Sequence, residues 1–298
     1  MNKNIFKIAT LAFAFALNVN AQSEKVNIKV SKSIRPLAEK LVEEYKKDNA
    51  DAVIEFVSAK TQDAENSIQF TTGDDASVAF ARLAVLPVTT KDSEADQLLR
   101  EGSLNSKKLK NLFFVKDELD DEHKESKAEK SVHVYTGNSQ QSASRAYALH
   151  FSHEVSDFKG KKISGDDSFL NTAISRDPLG VTVNSLSNIY DLNNRHVRNE
   201  LSLVPLAVDK QSRQVIENGS LDEVIALLEK HEIEEIPVAN VGLSYNHSDN
   251  AAKKFAQWVL ANGSKYAHQY GLLQLSQKEL SAQAKRAIQE QSDVLACL

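Results

Sequence analysis

Residues 26–45 read Val26-Asn27-Ile28-Lys29-Val30, then Ser31-Lys32-Ser33, then Ile34-Arg35-Pro36-Leu37 and on to Tyr45. Apolar and polar side chains alternate through the first five, the period of a strand with one buried face. Leu37, Leu41, Val42 and Tyr45 recur at helical spacing after Pro36, a residue suited to a first helical turn. A strand that passes through a short hydroxyl-rich turn into a helix is the unit of a layered α/β protein.

Similar units recur outward from this stretch. Residues 53–57 predict a second strand. Residues 77–88 are nearly continuous in apolar side chains, as expected for a strand buried on both faces in a parallel sheet. A helix is predicted over 106–114. Residues 116–130 are almost wholly charged and read as a solvated loop or exposed helix rather than a metal or partner site. Further strands are predicted over 132–135, 180–183 and 201–208. Helices are predicted over 142–151 and 166–176, the latter stopped by Asp177-Pro178. Ser220 with Glu223, and Ser276 with Glu279, have the spacing of capping boxes. Residues 250–261 put Phe255, Trp258 and Val259 on one helical face, with a stop expected at Asn262-Gly263.

The chain has 298 residues and a formal net charge of −5. Lys3 and Lys7 precede an uncharged apolar run over 8–17, and Val19-Asn20-Ala21 offers small residues for cleavage. That is the layout of a secretory signal, and the run is too short for a bilayer span of about 20 residues. Removing 1–21 takes away lysines and no acid, so the mature chain is more acidic still. Such a chain has no electrostatic footprint for nucleic acid or anionic lipid. Cys297 is the only cysteine, which excludes an internal disulfide and suits a bacterial periplasm.

No Gly-x-Ser-x-Gly elbow, phosphate loop or dinucleotide fingerprint occurs, so neither a catalytic set nor a cofactor is indicated. His150 and His153 lack a third ligand nearby, and no metal site is expected. Asp74-Asp75 and Asp166-Asp167 are adjacent carboxylates. The second pair falls in the first turn of a predicted helix, where acids complement the helix dipole. Polar clusters follow several strands: Ser31-Lys32-Ser33, Ser58-Ala59-Lys60-Thr61, and Ser139 through Ser142-Ala143-Ser144-Arg145. Hydroxyls and free N–H groups at helix N-termini form anion sites, although plain N-capping accounts for the same residues.

Val30 to Leu37 is similar to the Gly-Ser-Ser-Thr-x-x-Pro-Leu opening of bacterial periplasmic phosphate-binding proteins of ABC importers, within the type 2 periplasmic binding protein superfamily. Ser142-Ala143-Ser144-Arg145, with Phe151 downstream, resembles that family's Ser-Gly-Thr segment and its aromatic. Lys159 to Val181 resembles the stretch that leads to the second lobe's return. Phe255-x-x-Trp258-Val259-Leu260-x-x-Gly263 is similar to the closing helix. The resemblance covers nearly the whole mature chain and is greatest to the version with an elaborated second lobe from Bacteroidetes-type bacteria.

The resemblance implies an α/β fold of two lobes with two crossing strands and a ligand cleft between them. The crossings would fall near 86–90 and 204–209. Residues 1–21 would be the signal peptide, 22–88 with 208–298 the first lobe, and 89–207 the second. The implied ligand groups are Ser31, Lys32, Ser33, Ser58, Ser142 and Ser144, with Asp74 or Asp75 accepting the proton of a protonated phosphate. Ala143 stands where the family has glycine, and the family's arginine before this loop is missing, so Arg145 or Lys32 would supply the charge. The implied protein is a periplasmic monomer and not an enzyme, capturing phosphate for a membrane ABC permease without cofactor or nucleic acid. The alternative is a degenerate module serving as a periplasmic partner or sensor.

Overall fold

Alternation over the first residues produces β1 (Val26–Lys29), and Pro36 opens α1 (Arg35–Asp48), followed by β2 (Ile54–Phe56). The computed structural model describes residues 25–58, 66–73, 76–115, 126–139, 141–246 and 249–296. The predicted signal segment, Asp74, Asp75, residues 116–125 and Cys297 lie outside these. Next come β3 (Ser67–Thr72), β4 (Val78–Thr90), α2 (Glu94–Leu99), α3 (Ser106–Phe113) and α4 (Lys127–Ser131). The middle of the chain forms β5 (His133–Gly137), α5 (Ala143–His150), β6 (Lys161–Ile163) and α6 (Ser168–Ser175). β7 (Gly180–Ser185), α7 (Leu186–Ile189), β8 (Leu201–Leu203), α8 (Lys210–Asn218) and α9 (Leu221–Lys230) follow. The chain closes with β9 (Val238–Tyr245), α10 (Asn250–Asn262), β10 (Leu273–Gln274) and α11 (Gln277–Ala296).

The strands lie in the order β2-β1-β3-β9-β4-β7-β5-β6, with β8 and β10 also paired to β4. Parallel pairing joins β1 to β2 and β3, and β5 to β6 and β7. β4 runs antiparallel to β7, β8, β9 and β10, which corrects the expectation of a parallel central strand. An apolar run records burial on both faces but carries no information about direction. β4 is buried because α6, α7, α10 and α11 all pack on it, α11 reaching Ala79 and Arg82 through Gln283 and Glu279.

This one strand serves two lobes. Residues up to Ala84 pair with β9, and from Val85 onward the partners are β7 and β8. At the change, the Val85 N–H donates to the Pro237 carbonyl at 2.9 Å, so the returning chain meets β4 where it passes between lobes. In the first lobe Tyr45 packs edge-on against Phe255 and Trp258, with centroids 5.1 and 5.6 Å away. In the second, Tyr147 packs on Phe151 at 4.9 Å and Phe114 on Phe158 at 4.5 Å. Each lobe thus has its own aromatic core, and such pairs add about 0.5–1.5 kcal/mol each beyond area burial.

Both capping boxes form, with the N–H of Ser220 and of Ser276 donating to Glu223 and Glu279 at 2.7 Å. The α-helix α10 does end at Asn262 with Gly263 as its C-cap, but not in the left-handed conformation. Gly263 has φ −65°, and the chain continues as a 3-10 turn to a left-handed stop at Gly271, φ +69°. Gly263 is small for packing instead: a Cβ there would lie 3.0 Å from Phe80 and Val259. Among the described residues, no helix is long and apolar enough to cross a membrane.

Candidate functional site

The turn after β1 and the turn before α5 face each other across the two lobes and enclose a cavity of about 410 Å³. Its first-lobe wall is Lys29 to Ser33 together with Gln69, the residue that lies beside Lys29 in the β1–β3 register. Its second-lobe wall comprises Ser139, Gln141, Ser142, Asp166, Asp167 and Phe169. The Ser31 and Ser33 hydroxyls are 3.1 Å apart, and Lys29 is buried at 8% exposure. Lys32 reaches over the Phe169 ring, 5.8 Å from its centroid, and so spans the two walls.

Helix α5 begins inside the second wall. Ser142 has extended backbone and caps the helix, its Oγ accepting from the Arg145 N–H at 3.2 Å and donating to the Ser139 carbonyl at 2.7 Å. The next donor, the Ala143 N–H, is held by Asp167 Oδ2 at 2.7 Å. Asp167 sits at the start of α6 but does not cap it, so its charge complements the dipole of α5 rather than that of its own helix. Its backbone is pinned by Asn184, whose Nδ2 donates to the Asp167 carbonyl at 2.9 Å. Gly165, at φ +119°, turns the chain into this position, and the Phe169 ring lies 2.8 Å from where a Cβ would be.

Asp167 is 8% exposed, and burial together with the neighbouring Asp166 charge pushes its carboxyl up to about 6 against the pull of the Ala143 N–H. Asp166 is less buried and accepts from the Ser168 N–H at 3.0 Å.

Of the residues singled out in the sequence, Ser31, Lys32, Ser33 and Ser142 come together here. Ser144 turns inward, fully buried, with its Oγ accepting from the Gly137 N–H at 2.8 Å. Arg145 lines a neighbouring cavity of about 220 Å³ with Thr72, Gly73 and Asn240, where a Cβ on Gly73 would lie 3.4 Å from its Nη1. Ser58 is exposed after β2 and lines neither cavity. Asp74 and Asp75 fall outside the described residues. Lys29, Gln69 and Phe169 are additions that sequence reasoning did not single out; a lysine at the end of the strand that leads into the hydroxyl-rich turn was the available signal for the first.

His150 Nε2 lies 2.8 Å from the Glu234 carbonyl, and His153 stacks on Phe114 at 4.2 Å. Among the described residues no group of three His, Cys, Asp or Glu side chains could hold a metal ion.

No protein-family model matches the chain, and no curated protein matches it in sequence. Solved structures do match in shape. One, described as a phosphate ABC transporter substrate-binding protein with bound phosphate from Clostridium perfringens, is 14% identical with a TM-score of 0.54, over 85% of this chain and 100% of that one. Another, an ABC-type phosphate transport receptor from Vibrio cholerae, is 14% identical with a TM-score of 0.52, over 84% of this chain and 100% of that one. These likenesses show the fold: two α/β lobes, joined by crossing strands, with a cleft between them.

Proposed function

We propose that this chain is a periplasmic solute-binding protein that captures a small oxyanion, of the phosphate class, and delivers it to a membrane ABC permease. The observation that carries the reading is the interlobe cavity lined by Ser31, Ser33 and Ser142 together with Lys29 and Lys32. Hydroxyls and paired lysines bind an oxyanion without any excess positive charge on the whole protein, which suits a chain at −5. The protein works as a monomer on this reading, binds rather than transforms its ligand, and closes by bending where β4 changes partners. Residues 22–88 and 208–298 form the first lobe on this reading, 89–207 form the second, and 1–21 direct export.

The test is isothermal titration of the chain from Gln22 onward, freed of bound anion by partial unfolding, against phosphate with sulfate as control. Micromolar or tighter phosphate binding with sulfate rejected supports the reading; silence with both anions and with organic phosphonates rejects it.

A second reading, a binding-protein module turned to a partner or sensor role, draws on one observation. The Ala143 N–H, which would meet an anion at the start of α5, already holds the chain's own Asp167. Silence in the titration together with a stable complex in pull-down from periplasm would favour it.

A further inference from the structure

We propose that the ligand of this cleft is a small zwitterion, its phosphoryl group held by the first-lobe wall and its ammonium group by the carboxylates of the second. The proposal rests on the solute-binding reading and names the substrate class of the same site.

Charge is sorted by wall. Lys29 ends β1 and Lys32 lies in the turn after it, whereas Asp166 and Asp167 come from the turn before α6, and all of them line the same cavity. On the second wall the Ser142 hydroxyl proton is committed to the Ser139 carbonyl and the Ala143 N–H to Asp167, so its charged groups are the two carboxylates, beside the Ser139 hydroxyl and the Gln141 amide. An inorganic oxyanion needs donors on every side; a ligand with one anionic and one cationic end needs this division.

Asp167 supplies the independent sign. Asp167 is buried, at 8% exposure, and Oδ2 has the Ala143 N–H as partner. Among the described residues no hydrogen bond reaches Oδ1, and no lysine or arginine pairs with the carboxylate. A buried carboxylate with a single neutral donor is poorly compensated, and an ammonium group brought by the ligand completes it. The cavity, at about 410 Å³, is within the usual range for small organic ligands, about 300–1,000 Å³.

The experiment is isothermal titration of the anion-free protein at pH 7.5 with 2-aminoethylphosphonate, ethylphosphonate and inorganic phosphate. The expected result is that 2-aminoethylphosphonate binds at least tenfold more tightly than ethylphosphonate, from which it differs by the amine. Asp167→Asn should weaken the aminophosphonate at least tenfold and tighten ethylphosphonate, reversing the preference. Asp166→Asn, on the less buried carboxylate, should narrow it and serves if the first variant does not fold. Equal or weaker binding of 2-aminoethylphosphonate, with ethylphosphonate or phosphate bound, overturns the zwitterion and leaves the oxyanion reading in place. No binding of any of the three overturns both.

Discussion

Asp167 Oδ2 accepts the Ala143 N–H at 2.7 Å, so a carboxylate at the start of α6 is seated on the N-terminus of α5. The arrangement is electrostatically favourable at the dipole yet costly to bury, and burial dominates, raising the carboxyl from 3.8 to about 6. An acid with a raised pKa holds its proton longer in the folded than in the unfolded protein. Stability is therefore lost as pH rises from about 4 to about 6, and the penalty is complete above that window. Asp167→Asn keeps an oxygen for the Ala143 N–H and removes the charge. It should stabilise the protein by up to about 3 kcal/mol at pH 7.5 and by much less at pH 4. Urea unfolding at both pH values checks this, and an equal effect at both would refute the burial argument.

The hydroxyls of Ser142 and Ser144 face different ways and should separate in mutation. Ser144→Ala leaves the buried Gly137 N–H without its acceptor and should cost about 1–3 kcal/mol of stability. Ser142→Ala loses a helix cap worth about 1 kcal/mol and also a cavity wall, so it should lower anion affinity as well. Thermal melts and phosphate titrations on the single variants distinguish the two roles.

Lys32 and Arg145 occupy neighbouring cavities, and the one with the hydroxyls belongs to Lys32. Lys32→Gln should weaken phosphate about tenfold, about 1.4 kcal/mol for a lost charge-assisted contact. Arg145→Gln, acting from beside Gly73, should change it by less than about threefold, on the order of half that free energy. The reverse order of effects would move the anion to the smaller cavity.

Gly242 in β9 lies against β4 so closely that a Cβ would come 2.1 Å from the Val78 carbonyl oxygen. Backbone must shift to admit it. Gly242→Ala should cost about 1–3 kcal/mol or more and lower the thermal transition cooperatively, as overpacking does. A transition unchanged within error would show that the β4–β9 register is looser than it stands.

How far sequence reading reached is clear from particular elements. β1 and α1 were legible because alternation, Pro36 and the Leu37–Leu41 spacing are local signals that agree. β9 was not: Val-Ala-Asn-Val-Gly-Leu-Ser-Tyr mixes small and polar residues, and its identity as a strand comes from β3 and β4 on either side. The direction of β4 was equally hidden, since burial and direction are separate properties. In the cavity, Ser31 to Ser33 and Ser142 were readable as hydroxyls between strand and helix. Asp166-Asp167 reads as a pair at the start of α6, and Asp166 does accept there from the Ser168 N–H, whereas Asp167 reaches the helix that starts at Ala143, on the far side of β6 in the chain. Local pattern marks helix ends; it does not say whose end a side chain will reach.

The seating of β3 against β9 also governs how the molecule comes into being. Ile68 pairs with Tyr245 and Thr72 with Val241, so strands made early wait for one made late. A nascent chain that has reached β7 can already assemble β5, β6 and β7 in parallel, while β3 still shows an open edge beyond β1. Such an edge invites pairing with other chains, and long-range closure of this kind is slow. Assembly therefore runs against the order of synthesis: the lobe that starts the polypeptide is the last to be finished.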